Sequence, residues 1–313
     1  MSHKKIEQHC KDWKMKCDPK LDPFPHTEVT KGPDSEDSWN ELVNFLAFAY
    51  LYPNDDVRWI FRGVRDAKYS LESALERELN KREKLEEVDI ITAEIYLLAQ
   101  FKRAANHFLE ASMVPQNEDI IEWLALMQHY GTPTRLIDFT RSPYIACFFA
   151  LEEDNDNSEC AIWAINENWF KKKSLSRIKD ENVTSKEDLN SAYLANKGNF
   201  NNILYNISTS AILPVVPLKA NQRLLVQQGL FLCSSAARKG SFVNNMLSYR
   251  NDESDMQENV YKIIIDNNLR STVLYELNFM NINRSSLFPG LEGFATSLKH
   301  EIAYKSPDEI KYF

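Results

Sequence analysis

Strand-like runs in this sequence are short, few and set among longer helical stripes, with none of the regular strand–helix–strand alternation that builds a parallel sheet. That pattern predicts an α+β fold in which a small sheet is surrounded by many helices. Val57, Trp59 and Phe61 alternate with Arg58, Ile60 and Arg62 at the period of a strand, and Gly63 follows where the backbone must turn or be closely approached. Thr134–Phe139, Cys160–Ile165, Ile212–Leu218, Arg223–Cys233 and Val260–Asp266 read as further strands. The longest helical stretch is expected from about Leu71 to Glu110, with Ile91, Ile95, Leu98, Ala105 and Phe108 in its buried stripe and the charges of 81–87 interrupting it. Another holds Ile120, Ile121, Leu124 and Met127, and two more, at about 269–280 and 290–304, lie toward the end of the chain. Ser38 with Glu41 forms a capping-box signature ahead of Leu42, Val43 and Leu46. Residues 166–210 are polar and carry no clear period.

The first 37 residues hold Pro19, Pro23, Pro25 and Pro33 and read as an arm or linker, ordered by a partner if at all. Residues 38–313 then form one domain, with a helical insertion at about 70–128. An apolar fraction of 43% against 26% charged residues excludes wholesale disorder. The formal charge of -8 argues against a protein that coats nucleic acid, although a local basic channel stays open because affinity follows the local field. With only 8 glycines there is neither a P-loop nor a GxGxxG helix start. The 5 cysteines are scattered without a CxxC pair, and the 6 histidines include no HExxH, so no metal site is expected. Cys147 sits in an apolar run and reads as a buried small hydrophobe. No stretch approaches 18 apolar residues and the N-terminus has no signal-like run, which predicts a cytoplasmic protein without a membrane segment.

Three segments put polar groups where a strand meets a turn. Arg62 before Gly63 offers a planar fork to a phosphate or carboxylate, or makes an ordinary salt bridge. Gln128–Pro143 is dense in polar side chains between two apolar flanks, which suits a site better than a core. His129–Pro133 is a turn by its Gly and Pro, and Pro143 fits the first turn of a helix. One of Asp138, Thr140 and Ser142 is accounted for by capping that helix. In Arg223–Phe231 the amides of Gln227 and Gln228 precede Gly229, at a ligand-facing edge or a solvent-facing bulge.

The blocks WIFRG at 59–63, HYGTPTRLIDFT at 129–140, RLLVQQGLF at 223–231 and LFPGLEG at 287–293 resemble, in order, those of the FRG-domain family, over about residues 38–300. A weaker resemblance is to ADP-ribosyltransferases of the Arg–Ser–Glu type. It implies an ADP-ribosyltransferase-like small mixed sheet among helices. It also implies NAD as substrate, while the FRG resemblance implies a toxin role in a toxin–antitoxin or phage-defence setting. A macromolecular target (RNA, DNA or protein) and an antitoxin or chaperone partner would follow. The alternative is a non-catalytic module that binds nucleotide or nucleic acid. In this likeness Arg62 and Gly63 match the NAD-holding first block, and Thr140-Arg141-Ser142 before Ala146 and Phe149 matches the second. Gly229 and Phe231 align the third, where Arg223 stands in place of the expected Glu. The chemistry asks for cations at the diphosphate (Arg62, Arg135) and aromatic surface at the nicotinamide (Tyr130, Phe139). It also asks for hydroxyls near the ribose (Thr140, Ser142) and an acceptor for developing positive charge. Candidates for that acceptor are Glu292, Asp138 and the amides of Gln227 and Gln228.

Overall fold

The computed structural model describes residues 26–29, 57–81, 89–153, 159–180, 211–219, 221–235 and 259–304, with the isolated positions 40, 42, 43, 46, 205, 242 and 246. Its strands are β1 (His26–Val29), β2 (Trp59–Val64), β3 (Ile137–Thr140), β4 (Glu159–Asn166), β5 (Ile212–Val215), β6 (Gly229–Ser234) and β7 (Val260–Asp266). They form one sheet in the order β1-β7-β4-β2-β3-β6-β5. Six strands pair antiparallel, and β1, from the N-terminal arm, adds to β7 in parallel. The helices are α1 (Ala74–Asn80), α2 (Ile90–Phe108), α3 (Ile120–His129), α4 (Pro143–Leu151), α5 (Glu167–Asp180), α6 (Gln222–Val226), α7 (Arg270–Phe279), α8 (Arg284–Leu287) and α9 (Leu291–Tyr304). This is the mixed fold that the irregular order of strands and helices predicts.

Both faces of the sheet are covered, so β4 carries seven consecutive buried residues after Glu159. On one face Ile60, Val64, Ile137, Phe139, Trp163 and Leu230 share a core. On the other, Phe61, Ile162, Ala164 and Ile263 pack under Ile145, Ala146, Phe148 and Ala150 of α4. A third core joins Leu98 of α2 and Trp123, Leu124 and Met127 of α3 to Leu213, Val215 and Phe231. Gly63 marks the closest approach: a Cβ there would overlap the Ala146 carbonyl oxygen and the Ala150 amide of α4. What comes close to this glycine is therefore a helix backbone, and its lack of a side chain serves packing on the α4 face.

The expected helix after Ser38 is helical at Asn40, Leu42, Val43 and Leu46, with Leu42 and Leu46 in the core; Ser38, Glu41 and Tyr50 lie outside the described residues. The stretch from Leu71 to Glu110 is two helices. The first starts with a capping box in which Ser73 accepts from the Glu76 amide at 3.1 Å and Glu76 accepts from the Ser73 amide at 2.6 Å. The strand expected over Arg223–Cys233 is corrected. Asn221 accepts from the Leu224 amide at 2.7 Å and starts the short α6, so pairing begins only at Gly229. Between them Gln228 takes φ +48°, a left-handed corner. Glu167–Asp180, within the stretch that showed no period, is helical.

β2 and β3 meet through one residue pair, Phe61 with Thr140, whereas β2 and β4 share six pairs and β3 and β6 share four. Past that pair Arg62–Val64 and Ile137–Phe139 run on without pairing to each other, each held by its outer neighbour. The sheet is thus nearly divided at this seam, and the divided part holds the polar residues that the sequence concentrates there.

Candidate functional site

Arg62 lies in β2, in register with Trp163 of β4, on the face that carries Ile60 and Val64. Its Nη1 donates across the seam to the Asp138 carbonyl oxygen at 2.8 Å and stands 3.7 Å from Asp138 Oδ2. The Arg62 side chain is 20% exposed and that of Asp138 64%, so the carboxylate faces solvent beside a mostly covered guanidinium. Burial lowers the Arg62 pKa, Asp138 pulls it back up, and Arg77 adds to the lowering. Arginine still keeps its proton, so the seam holds a fixed cation.

A second guanidinium lies in the field of the same carboxylate without pairing with it. Arg223 in α6 stands with its guanidinium carbon 4.3 Å from the centre of the Phe288 ring. Burial lowers its pKa, and it lies in the fields of Asp138, Arg284, Glu152 and Glu292. Arg284 of α8 holds its own guanidinium 4.4 Å from the same ring and is ion-paired with Glu152. Phe288 is braced edge-on against Phe149 at 6.0 Å. Gln227 Nε2 donates to the Leu287 carbonyl oxygen at 2.9 Å and ties the corner after α6 to α8. Next to Arg223, burial first and that guanidinium second push the His129 imidazole below its ordinary value. Tyr130, 53% exposed, meets His129 edge-on at 5.0 Å, and Gly131 turns the chain with φ +81°.

The sequence-predicted residues separate into two groups. Arg62 and Asp138 stand at the seam, Tyr130 is exposed in the turn after α3, and Glu292 is exposed in the first turn of α9 within the field of Arg223. The others do local structural work. Arg135 is buried in an ion pair with Glu94 at 2.6 Å, and its Nη1 also donates to the Ser234 carbonyl oxygen at 3.1 Å, which removes it from any diphosphate. Phe139 is a core residue, 3% exposed, and offers no ring to a nicotinamide. Thr140 Oγ1 donates to the Gln227 carbonyl oxygen at 2.7 Å and accepts from the Ser142 amide at 3.0 Å. Ser142 is the N-cap of α4, accepting from the Ile145 amide at 3.3 Å, with Pro143 in the first turn. Both hydroxyls thus hold the corner between β3 and α4. The carbonyl oxygen of Gln228 accepts from the Arg141 amide at 3.0 Å while its side chain faces outward.

Sequence reasoning missed Phe288, Arg284, Glu152 and Arg77. Phe288 falls within the LFPGLEG block, but nothing there marks the ring as the support of two distant arginines. Among the described residues no group of three or more His, Cys, Asp or Glu could hold a metal ion, and no helix is long and apolar enough to cross a membrane. Burial pushes the thiols of Cys160 and Cys233 up to about 12 and raises that of Cys147, as suits inert core cysteines.

The segment that carries β2, the turn after α3 and the seam is also the one with a family likeness. Residues 57–159 match the family model of the FRG domain. The match supports the FRG-domain family for that segment, which includes Arg62, His129, Asp138 and Ser142. Arg223, Arg284, Phe288 and Glu292 complete the cluster from beyond the FRG match. Comparison with curated proteins and with solved structures returned no match.

Proposed function

We propose that this chain binds NAD at the β2–β3 seam and transfers its ADP-ribose to a macromolecule, RNA, DNA or protein, as the toxin of a toxin–antitoxin or phage-defence system. The observation that carries the reading is the mostly covered Arg62 guanidinium at the seam beside the solvent-facing Asp138. A diphosphate brings negative charge, and this guanidinium supplies a fixed, part-buried cation for it. Tyr130, exposed in the turn after α3, is the aromatic surface assigned to a ring.

In the transfer the bond from ribose C1′ to the nicotinamide nitrogen breaks, and nicotinamide leaves with the bonding pair. A nucleophile of the target then bonds to C1′ and gives up its proton to a base. The ribose passes through an oxocarbenium-like state, which a nearby carboxylate stabilises. Glu292 and Asp138 are the two carboxylates in the field of Arg223 that face solvent at this site, and Glu292 is assigned the role because Asp138 already answers Arg62. Thr140 and Ser142 contribute by fixing the corner that carries Asp138. An antitoxin or chaperone partner belongs to the same reading.

Incubation of the full chain with labelled NAD and cell RNA, DNA and protein tests the proposal, with label expected in one of the three fractions. Arg62→Ala is expected to weaken NAD binding roughly 10- to 100-fold, the worth of a charge-assisted contact. Calorimetry on folded wild type with no heat at millimolar NAD would sink the reading. A second reading, a nucleotide-binding module without catalysis, is favoured by Arg223 standing where the related transferases carry Glu. Glu292→Gln separates the two: loss of label by about 100-fold or more fits transfer assisted by that charge. NAD binding without label in any fraction, wild type included, fits the module.

A further inference from the structure

We infer that Gln228 is a ligand-contacting residue of this site, presented so that its side-chain amide hydrogen-bonds a donor–acceptor edge of the bound nucleotide. The inference rests on the nucleotide reading above and names a contact that reading lacks. Among the described residues three helices end alike, with a left-handed residue directly after the C-cap. After α3 it is Gly131, at φ +81°, and after α7 it is Asn281, at φ +59°. Glycine is the usual occupant of that place and asparagine the usual alternative. After α6 it is Gln228, at φ +48°. Glutamine carries a Cβ that crowds the following carbonyl oxygen in this conformation, and it lacks the short reach by which asparagine bonds its own backbone. The glycine of this corner stands one place later, where a Cβ on Gly229 would run into the Leu224 side chain.

The backbone of Gln228 is fixed from both sides. Its amide donates to the Leu225 carbonyl oxygen at 3.0 Å, and its carbonyl oxygen accepts from the Arg141 amide at 3.0 Å. Gln227 before it and Gly229 after it both meet Thr140, the residue through which β3 pairs with β2. The Gln228 side chain, by contrast, is exposed and makes no hydrogen bond among the described residues. It does nothing for the fold that offsets the backbone strain. A strained position held by its neighbours, with a side chain idle inside the protein, marks work done for a ligand. The chemistry of the amide says which kind. It presents donors and an acceptor in one plane without charge, and so matches a group with a donor beside an acceptor. NAD carries two such edges, on adenine and on the nicotinamide carboxamide. The corner before β6 lies two strand spacings from β2, roughly 10 Å, and a dinucleotide held at its diphosphate by Arg62 extends a ring to either side over that range.

The test is calorimetry of the full chain with NAD, with ADP-ribose, which lacks nicotinamide, and with nicotinamide hypoxanthine dinucleotide, in which a carbonyl replaces the adenine amino group. Wild type is compared with Gln228→Gly and Gln228→Ala, each with its melting curve. Gln228→Gly is expected to melt at or above wild type, by up to about 2 °C, because the left-handed strain is gone. Its NAD affinity should nevertheless fall roughly fivefold or more, the worth of one or two neutral hydrogen bonds. Gln228→Ala keeps the crowded Cβ without the amide and should lose the same affinity with no gain in melting temperature. An amide that reads adenine makes wild type prefer NAD to the hypoxanthine analogue, and one that reads the carboxamide makes it prefer NAD to ADP-ribose. In either case the variants lose the preference. NAD affinity equal to wild type in both folded variants overturns the assignment, and a fall in labelled transfer alone would give the amide to the macromolecular target instead. A Gln228→Gly that melts below wild type overturns it too, since the glutamine would then serve the fold. If wild type binds no NAD, the reading of the site itself falls, and this inference with it.

Discussion

Arg135 and Glu94 form an ion pair at 2.6 Å with side chains only 2% and 0% exposed, joining the N-terminal part of α2 to the chain entering β3. Tyr205 donates its hydroxyl to the same carboxylate oxygen at 3.0 Å, and the Arg135 guanidinium lies 4.8 Å from the Tyr205 ring. Burial is the largest single influence and would lower the Arg135 pKa, but Glu94, Cys233 and Tyr205 together raise it. The helical segment before β3 is thereby fixed to the sheet by charge as well as by its apolar stripe. That is where the one arginine of the HYGTPTRLIDFT block goes.

Removal of one partner of this pair is expected to be severe. Arg135→Ala leaves Glu94 charged and sealed from water, which commonly costs about 3–5 kcal/mol. Urea unfolding should show the loss as a lower midpoint at unchanged slope. The joint replacement Arg135→Met/Glu94→Leu should recover most of it, because an apolar pair of similar volume needs no solvation. A single Arg135→Ala variant as stable as wild type would mean that the pair is not closed in solution.

Gly63→Ala is expected to destabilise by more than the usual cost of overpacking, about 1–3 kcal/mol, since the added methyl meets helix backbone that cannot rotate away. Thermal melting is the measurement. A ligand-contact role for this glycine predicts the reverse, a normal melting temperature with weakened NAD binding.

Ser142→Ala is expected to cost about 0.5–2 kcal/mol of stability, the worth of an N-cap, and to leave NAD affinity unchanged. Paired melting curves and calorimetry distinguish this from a role at the ribose, in which affinity or transfer would fall while the melting temperature held.

The strands and helices with a clean period were legible. Val260–Asp266 is a strand over the residues that its alternation marks, and Pro143 opens α4 as its missing N–H allows. The misread segment was Arg223–Cys233, where Leu224, Leu225 and Val226 look like a strand but follow Asn221, whose capping bond closes a helical turn first. Local hydrogen bonding there outweighed hydrophobic pattern. At the site, Asp138 and Arg62 could be found because polar residues between apolar flanks need a reason to be there. Arg135 met the same criterion and had a different reason, Glu94, on a helix 41 positions earlier. Phe288, Arg284 and Glu152 could not be found, because each owes its place to a partner that only the fold brings near. Arg223 was visible only as a departure from a related pattern.

The last prediction concerns the pH dependence of His129, which reports directly on whether Arg223 stands where the site requires it. Burial is the larger cause of its lowered pKa and Arg223 the second, so in the full chain its imidazole should titrate below the ordinary value of 6.5. Arg223→Gln removes the second cause and should move the titration upward, still short of the ordinary value because burial remains. Histidine resonances followed by NMR against pH, assigned with His129→Gln, measure both. As pH falls below about 6.5 the unfolded chain takes up the proton before the folded chain does. Stability is therefore fully present above that value and is lost as pH falls through the lower, folded value. His129→Gln should flatten that part of the stability profile and leave the neutral side unchanged. A His129 that titrates at its ordinary value, or that does not respond to Arg223→Gln, would place Arg223 away from the turn after α3.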